Sequence, residues 1–201
     1  MVTQTLPTPT NVLPAGMALT VRRIVKVNHA GEYGAIRLYG SQIWIARWRC
    51  PEVVSKLEEI LSHEIAHCAK FVAAMPERGA APCRALFLWG TGGRALGVVT
   101  ALIGRQGVWA CTAAVEAAVH RHLDDQLVYL AGRDQGLFDL IADIRAEEAA
   151  HLEHAEAKLA AHRASAAWLR AAIAGITDVL IWLSTSGDSA RMARDITLAG
   201  D

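Results

Sequence analysis

The sequence predicts an all-α fold: a four-helix bundle with a long crossover between the second and third helices and an extra amphipathic helix toward the C-terminal end. Three observations predict it. Long proline-free stretches carry apolar residues at steps of three and four, the spacing that lines one face of an α-helix. Two of these stretches carry a Glu-x-x-His pair, Glu64 with His67 and Glu148 with His151, and two others carry one isolated Glu among apolar neighbours, Glu32 and Glu116. Each isolated Glu precedes its pair by 32 residues, so the chain reads as two copies of one half-site.

Residues 1–20 hold three prolines among Thr and Asn, a composition that predicts an extended or disordered lead-in ahead of one domain over residues 21–185. The first helix runs from about Thr20 to Arg47. Its interior glycines, Gly31 and Gly34, each cost about 1 kcal/mol relative to Ala, which predicts that something approaches the backbone closely there. The second helix starts at Pro51, a residue suited to a first helical turn, and ends near Ala74 before Met75-Pro76. Residues 76–94, with two prolines and four glycines around Leu86-Phe87-Leu88-Trp89, read as an apolar crossover along the bundle edge. The third helix is expected over Arg94–Leu130, with Gly97, Gly104 and Gly107 able to kink or divide it. Gly132-Arg133-Asp134 closes it and opens a fourth helix to about His162. Trp168, Leu169, Ile173, Ile176, Leu180 and Leu183 predict a fifth, amphipathic helix over Ala166–Ser184. Residues 186–201 read as a loose tail.

Composition narrows the function. Lys plus Arg equals Asp plus Glu at 20 each, so there is no basic field to hold nucleic acid, and nucleic acid is not expected as a partner. Cys50, Cys68, Cys83 and Cys111 stand far apart with no Cys-x-x-Cys, the pattern of reduced, buried thiols rather than of a disulfide framework or zinc knuckle. Neither a signal peptide nor a transmembrane span is expected, since no uninterrupted apolar run reaches about 18 residues. The mean hydropathy of +0.24 nonetheless predicts apolar surface that meets lipid or a partner.

The chemistry lies in the acids. Three helical steps return to nearly the same face one turn on, so Glu64 and His67 can reach a common point, as can Glu148 and His151. Four helices supplying Glu, Glu-x-x-His, Glu and Glu-x-x-His are the ligand set of ferritin-like di-iron and di-manganese carboxylate proteins. Four buried carboxylates would repel one another, whereas two divalent cations bring four positive charges to meet them. Oxygen ligands outnumber nitrogens and no Cys sits at ligand spacing, which favours iron, then manganese, over zinc. Glu147 lies four residues before His151 and could substitute for Glu148, but Glu148 keeps the 32-residue interval. His63, His120, His122 and His154 are read as non-ligands, with His154 at most an outer neighbour of the site.

Val27-Asn28-His29-Ala30-Gly31-Glu32-Tyr33-Gly34-Ala35, then Ala110-Cys111-Thr112-Ala113-Ala114-Val115-Glu116, then Glu147-Glu148-x-x-His151 resemble the motifs of the demethoxyubiquinone hydroxylase family of ubiquinone biosynthesis. The resemblance spans about Val21 to Leu183. It implies a di-iron monooxygenase that uses O2 and an external reductant to hydroxylate the ring of a prenylated methoxy-methyl-benzoquinol, bound peripherally at the cytoplasmic face of the cell membrane. It implies that Glu32, Glu64, His67, Glu116, Glu148 and His151 are the metal ligands. It leaves open self-association into a homo-oligomer and a lipid-binding accessory protein that delivers the quinol. Tyr33 and Tyr39, near the first ligand, are candidates for substrate or radical contacts. The family's pattern has a second acid after the third-helix Glu where this chain has Ala117, and adjacent histidines after the last ligand where it has Leu152-Glu153-His154. Two rivals use the same residues differently: an iron-oxidising storage protein, and a metal-free structural bundle with its acids paired to arginines.

Overall fold

The computed structural model describes residues 13–159 and 163–199, and among them there are seven α-helices and no strand. They are α1 (Ala15–Arg49), α2 (Val54–Ala74), α3 (Leu86–Ile103), α4 (Arg105–Leu130), α5 (Gln135–Leu159), α6 (Arg163–Ser184) and α7 (Asp188–Leu198). Short 3₁₀ turns at Pro51–Val53 and Pro76–Arg78 flank α2, each begun by the proline whose missing N–H costs a first turn nothing. The chain breaks where glycine supplies positive φ: Gly104, at 95°, separates α3 from α4, and Gly132, at 71°, turns α4 toward α5. Asp134 then starts α5. Its Oδ1 accepts the Leu137 N–H at 3.0 Å, and both its oxygens accept from Arg78 at 2.8 Å, which ties the end of α2 to the start of α5.

The bundle is α1, α2, α4 and α5. Its interior holds two apolar clusters, one around Leu38, Ile45, Leu57, Ile60, Val108 and Leu159, the other around Ile24, Phe71, Leu123, Leu137, Ile141 and Ile144. On each helix the acid falls between a member of one cluster and a member of the other: Glu32 between Ile24 and Leu38, Glu64 between Ile60 and Phe71, Glu116 between Val108 and Leu123, Glu148 between Ile144 and Leu159. The acids therefore meet at mid-height, walled above and below by hydrocarbon.

Helix α3 is the crossover expected along the bundle edge, but its bounds differ from those expected: helix begins at Leu86 rather than Arg94, ends at Ile103, and lies along α1. Glycines make this contact. A Cβ on Gly97 would stand 2.3 Å from the Leu38 carbonyl oxygen, one on Gly93 2.7 Å from the Gly34 oxygen, and one on Gly34 1.7 Å from the Trp89 indole. The close approach expected of the α1 glycines is thus found at Gly34; at Gly31 nothing would touch a Cβ, though its carbonyl accepts the Trp89 Nε1–H at 3.4 Å.

Two further expectations change, and the reason given for a third needs amending. The lead-in ends earlier than 20, because α1 already includes Ala15 to Thr20; residues 1–12, like 160–162, lie outside the described residues. The loose tail contains α7, whose Met192 is buried and whose acids meet α1, with Lys26 Nζ to Asp188 at 2.6 Å and Arg23 Nη1 to Asp195 at 2.7 Å. Eleven residues give the apolar face only two core contacts, Met192 and Ile196 one turn on, too short a stripe to stand out in the sequence. Finally, Leu86–Ile103 and Ala167–Ser184 are long and apolar enough to cross a membrane by length and composition. Counting uninterrupted apolar residues misses them, because Arg94 divides the first and Arg170 and Asp178 the second.

Candidate metal centre

The six residues singled out in the sequence converge. Glu32, Glu64, Glu116 and Glu148 and the rings of His67 and His151 are all buried, the last five to 2 % exposure or less. They form two quartets, Glu32, Glu64, His67 and Glu148, and Glu64, Glu116, Glu148 and His151, each with one oxygen or nitrogen per residue mutually within 4.8 Å. Glu64 and Glu148 belong to both. That sharing is the geometry of two cations bridged by two carboxylates, with one Glu and one His left to each.

Both imidazoles turn Nδ1 inward. His67 Nδ1 lies 2.9 Å from Glu148 Oε1 and 3.9 Å from Glu32 Oε2; His151 Nδ1 lies 3.2 Å from Glu148 Oε2 and 3.9 Å from Glu64 Oε1. The His67 contact is short but not aligned as a hydrogen bond, which leaves a buried ring nitrogen without a partner and aimed among carboxylates. An orphaned nitrogen in that position fits a cation and is costly without one. The outer ring nitrogens are held from behind: His67 Nε2 meets Glu147 Oε2 at 3.1 Å, and His151 Nε2 meets His63 Nδ1 at 2.9 Å. Such outer contacts fix ring orientation at metal sites.

The electrostatics agree with the donor set. Burial, then the facing carboxylates, push Glu64 and Glu116 well above the usual carboxylate range, and burial lifts Glu32 up to about 7. Burial works to raise Glu148 as well, but the hydrogen bond with His151 and the close approach of the His67 ring outweigh it and hold this carboxyl below its usual value. Taken by themselves, then, all the acids but Glu148 hold a proton more tightly than an ordinary carboxylate does. A divalent cation would displace those protons and let every carboxylate ionise.

Several neighbours were not legible beforehand. Tyr39, buried in the core, donates its hydroxyl to Glu116, whereas Tyr33 faces Arg37, whose guanidinium lies 4.9 Å from its ring. Glu147 is not a substitute ligand but the outer partner of His67. His154 sits edge-on to Trp109 at 5.1 Å. The cysteines are free thiols, with Cys111 pushed up to about 12 and Cys68 to about 11 chiefly by burial.

A cavity opens onto all four carboxylates. Its walls come from α1, α4, α6 and α7 with Trp89 of α3, and Val27, Ala35, Val115, Val119, Ile181 and Met192 make it apolar. The polar atoms in it are few. Thr177 Oγ1 is buried with no hydrogen-bond partner, and His122 is lowered below its ordinary value by burial.

The model of the family described as Ubiquinone biosynthesis protein COQ7 matches residues 19–184, which includes every ligand candidate and stops short of α7. The 3-demethoxyubiquinol 3-hydroxylase of Rhodospirillum rubrum is 34% identical over 167 residues, covering 83% of this chain and 78% of that one. The mitochondrial NADPH-dependent 3-demethoxyubiquinone 3-hydroxylases of Mus musculus and Homo sapiens are 37% and 38% identical over 136 residues. Those two alignments cover 65% of this chain and 61% of each relative.

Proposed function

The chain belongs to the family of the ubiquinone biosynthesis protein COQ7, and from that premise we propose that it is a di-iron monooxygenase hydroxylating the ring of demethoxyubiquinol. The overall change is C–H plus O2, two electrons and two protons to C–OH plus water, so an external reductant is required. Two iron ions held by Glu32, Glu64, His67, Glu116, Glu148 and His151 would supply the reduction and activation of O2. Glu64 and Glu148, common to both quartets, would serve both ions, Glu32 with His67 and Glu116 with His151 would complete each position, and Tyr39 holds the Glu116 carboxylate through its hydroxyl.

The observation that carries this reading is the apolar cavity that touches all four acids. Its walls exclude water and suit an aromatic ring, with Thr177 Oγ1 the polar atom free to hydrogen-bond a ring oxygen. An iron-oxidising storage protein uses the same acids, but the relatives matched over most of this chain are named as hydroxylases. The prenyl tail needs an apolar exit, and two helices offer one. Exposed Phe87, Val99, Leu102 and Ile103 on α3, with Trp168, Ile176, Val179 and Trp182 on α6, form an apolar surface suited to peripheral docking on the membrane that carries the quinol.

The test is an aerobic assay with iron-loaded protein, a chemical reductant and short-tail demethoxyubiquinone. Hydroxylated product is expected, with none from Glu148→Ala; turnover that survives removal of metal overturns the proposal.

A further inference from the structure

The two halves of the centre are related by a constant offset of 84 residues, which carries Glu32, Glu64 and His67 onto Glu116, Glu148 and His151. Continuing the offset to their neighbours finds where the halves part. His63 corresponds to Glu147, and Tyr39 corresponds to Leu123.

Each difference bears on a ligand. His67 has a carboxylate behind it, since Glu147 Oε2 lies 3.1 Å from Nε2. His151 has an imidazole there, since His63 Nδ1 lies 2.9 Å from Nε2 with the rings stacked 5.1 Å apart at 15°. With Nδ1 of each ligand turned to the metal, Nε2–H donates outward. A carboxylate acceptor pushes more electron density into the ring than a neutral imidazole does, and so strengthens the Nδ1 donor more. The carboxylates differ in the same sense. Tyr39 donates its hydroxyl to Glu116 and draws charge from it, whereas the corresponding Leu123, buried in the core, has no donor to offer Glu32. Lys70 approaches Glu147 at 3.5 Å, but at the half-exposed rim where such a pair is weak.

We infer that the two metal positions are inequivalent, the Glu32–His67 position binding more tightly than the Glu116–His151 position, and that Glu147, His63 and Tyr39 are the positioning residues that set the difference. This rests on the two-metal part of the proposed function and not on its substrate. The inequality gives a reduced centre an order of loading.

Anaerobic calorimetric titration of chelator-stripped protein with Mn(II) tests it. Two binding steps of different affinity are expected. Glu147→Gln weakens the tighter step by about 10- to 100-fold, the usual effect of losing an outer-shell partner, and leaves the other in place. His63→Glu narrows the gap by giving His151 a carboxylate partner too, and Tyr39→Phe strengthens the weaker step. Glu147 and His63 are partly exposed, and circular dichroism checks that these variants fold. Mössbauer spectra of the ⁵⁷Fe(II)-loaded protein should give two doublets of equal area that move closer together in His63→Glu. A single affinity in the unaltered protein, equal weakening of both steps by Glu147→Gln, or a gap untouched by His63→Glu overturns the inference. Hydroxylation by a protein with two equal sites would overturn this inference alone, and two unequal sites without hydroxylation would overturn the substrate reading alone.

Discussion

Stripping metal from this protein should make its stability fall as pH rises through neutrality, the opposite of what most carboxylates do. The reason is the direction of the shifts at the centre. Glu32 has its pKa raised from 4.5 to about 7, so between those values the folded chain holds a proton that the unfolded chain has lost. Unfolding then releases a proton, and stability drops with each unit of pH. At 1.36 kcal/mol per pKa unit the full effect of Glu32 is about 3 kcal/mol, of which somewhat under half falls between pH 6 and pH 8. Glu64 and Glu116 are raised further and act in the same sense, and so does His67, whose proton is held by Glu148 and Glu32 against the effect of burial. Glu148, depressed, matters only as pH falls below its unfolded value and is silent in this window.

His29, His122 and His154 oppose the trend, because burial lowers them and the folded chain gives up their protons first. Their effect ends once unfolded histidine has titrated, near pH 7. Comparison with Glu32→Gln cancels them. Thermal melts of chelated protein from pH 6 to pH 8 should therefore show a falling midpoint, with Glu32 alone worth about 3–6 °C for a chain of this size, and a shallower fall in Glu32→Gln. Added Mn(II) should stabilise more at pH 8 than at pH 6, since binding displaces protons. A chelated protein whose midpoint stays level or climbs over this range would show that the acids are not crowded together as described.

Three other outcomes follow from the same coordinates. Glu148→Gln removes a carboxylate common to both quartets, so bound metal should fall from two ions per chain to one or none, read by elemental analysis, and hydroxylation should cease. Gly97→Ala gains about 1 kcal/mol of helix propensity but sets a Cβ 2.3 Å from the Leu38 carbonyl oxygen, a backbone atom of a long helix; overpacking of about 1–3 kcal/mol wins, and urea unfolding should find net destabilisation. Changing Trp168, Val179 and Trp182 to Ser should release the protein from anionic vesicles in a flotation assay while metal content stays the same, because these side chains are exposed on α6 and none lies at the centre.

The four bundle helices were legible because each is a long stretch free of proline with apolar residues at steps of three and four, and several boundaries are marked: proline after α2, positive-φ Gly104 before α4 and Gly132 after it. Helix α3 was half hidden. Its glycines lower helix propensity and look like loop residues, yet they are what lets α3 lie against the backbone of α1, so tertiary contact outweighed local preference. Helix α7 was hidden for another reason. It is held by ion pairs to Arg23 and Lys26, about 160 residues earlier, and by Met192 in the core, and no local pattern encodes partners so distant.

The ligand candidates could be read because chemistry forces their spacing: a carboxylate and an imidazole must share one helix face, and an isolated acid on an apolar face needs a partner. Nothing comparable constrains the residues behind them. Glu147 invites confusion with a ligand, since a carboxylate four residues before a histidine also lies on its face; only its position on the far side of the His67 ring gives it another part. His63 looked idle for the same reason in reverse. The 84-residue correspondence that pairs these two was present in the sequence, but its consequence depends on α2 and α5 crossing so that each supplies the outer contact to the other's histidine. The cavity is further removed still, since Trp89, Thr177 and Met192 come from three helices outside the ligand-bearing four. The acids that could hold a metal are thus written in local spacing, while what would distinguish one metal position from the other, and hydroxylation from mere iron binding, is written in contacts between helices.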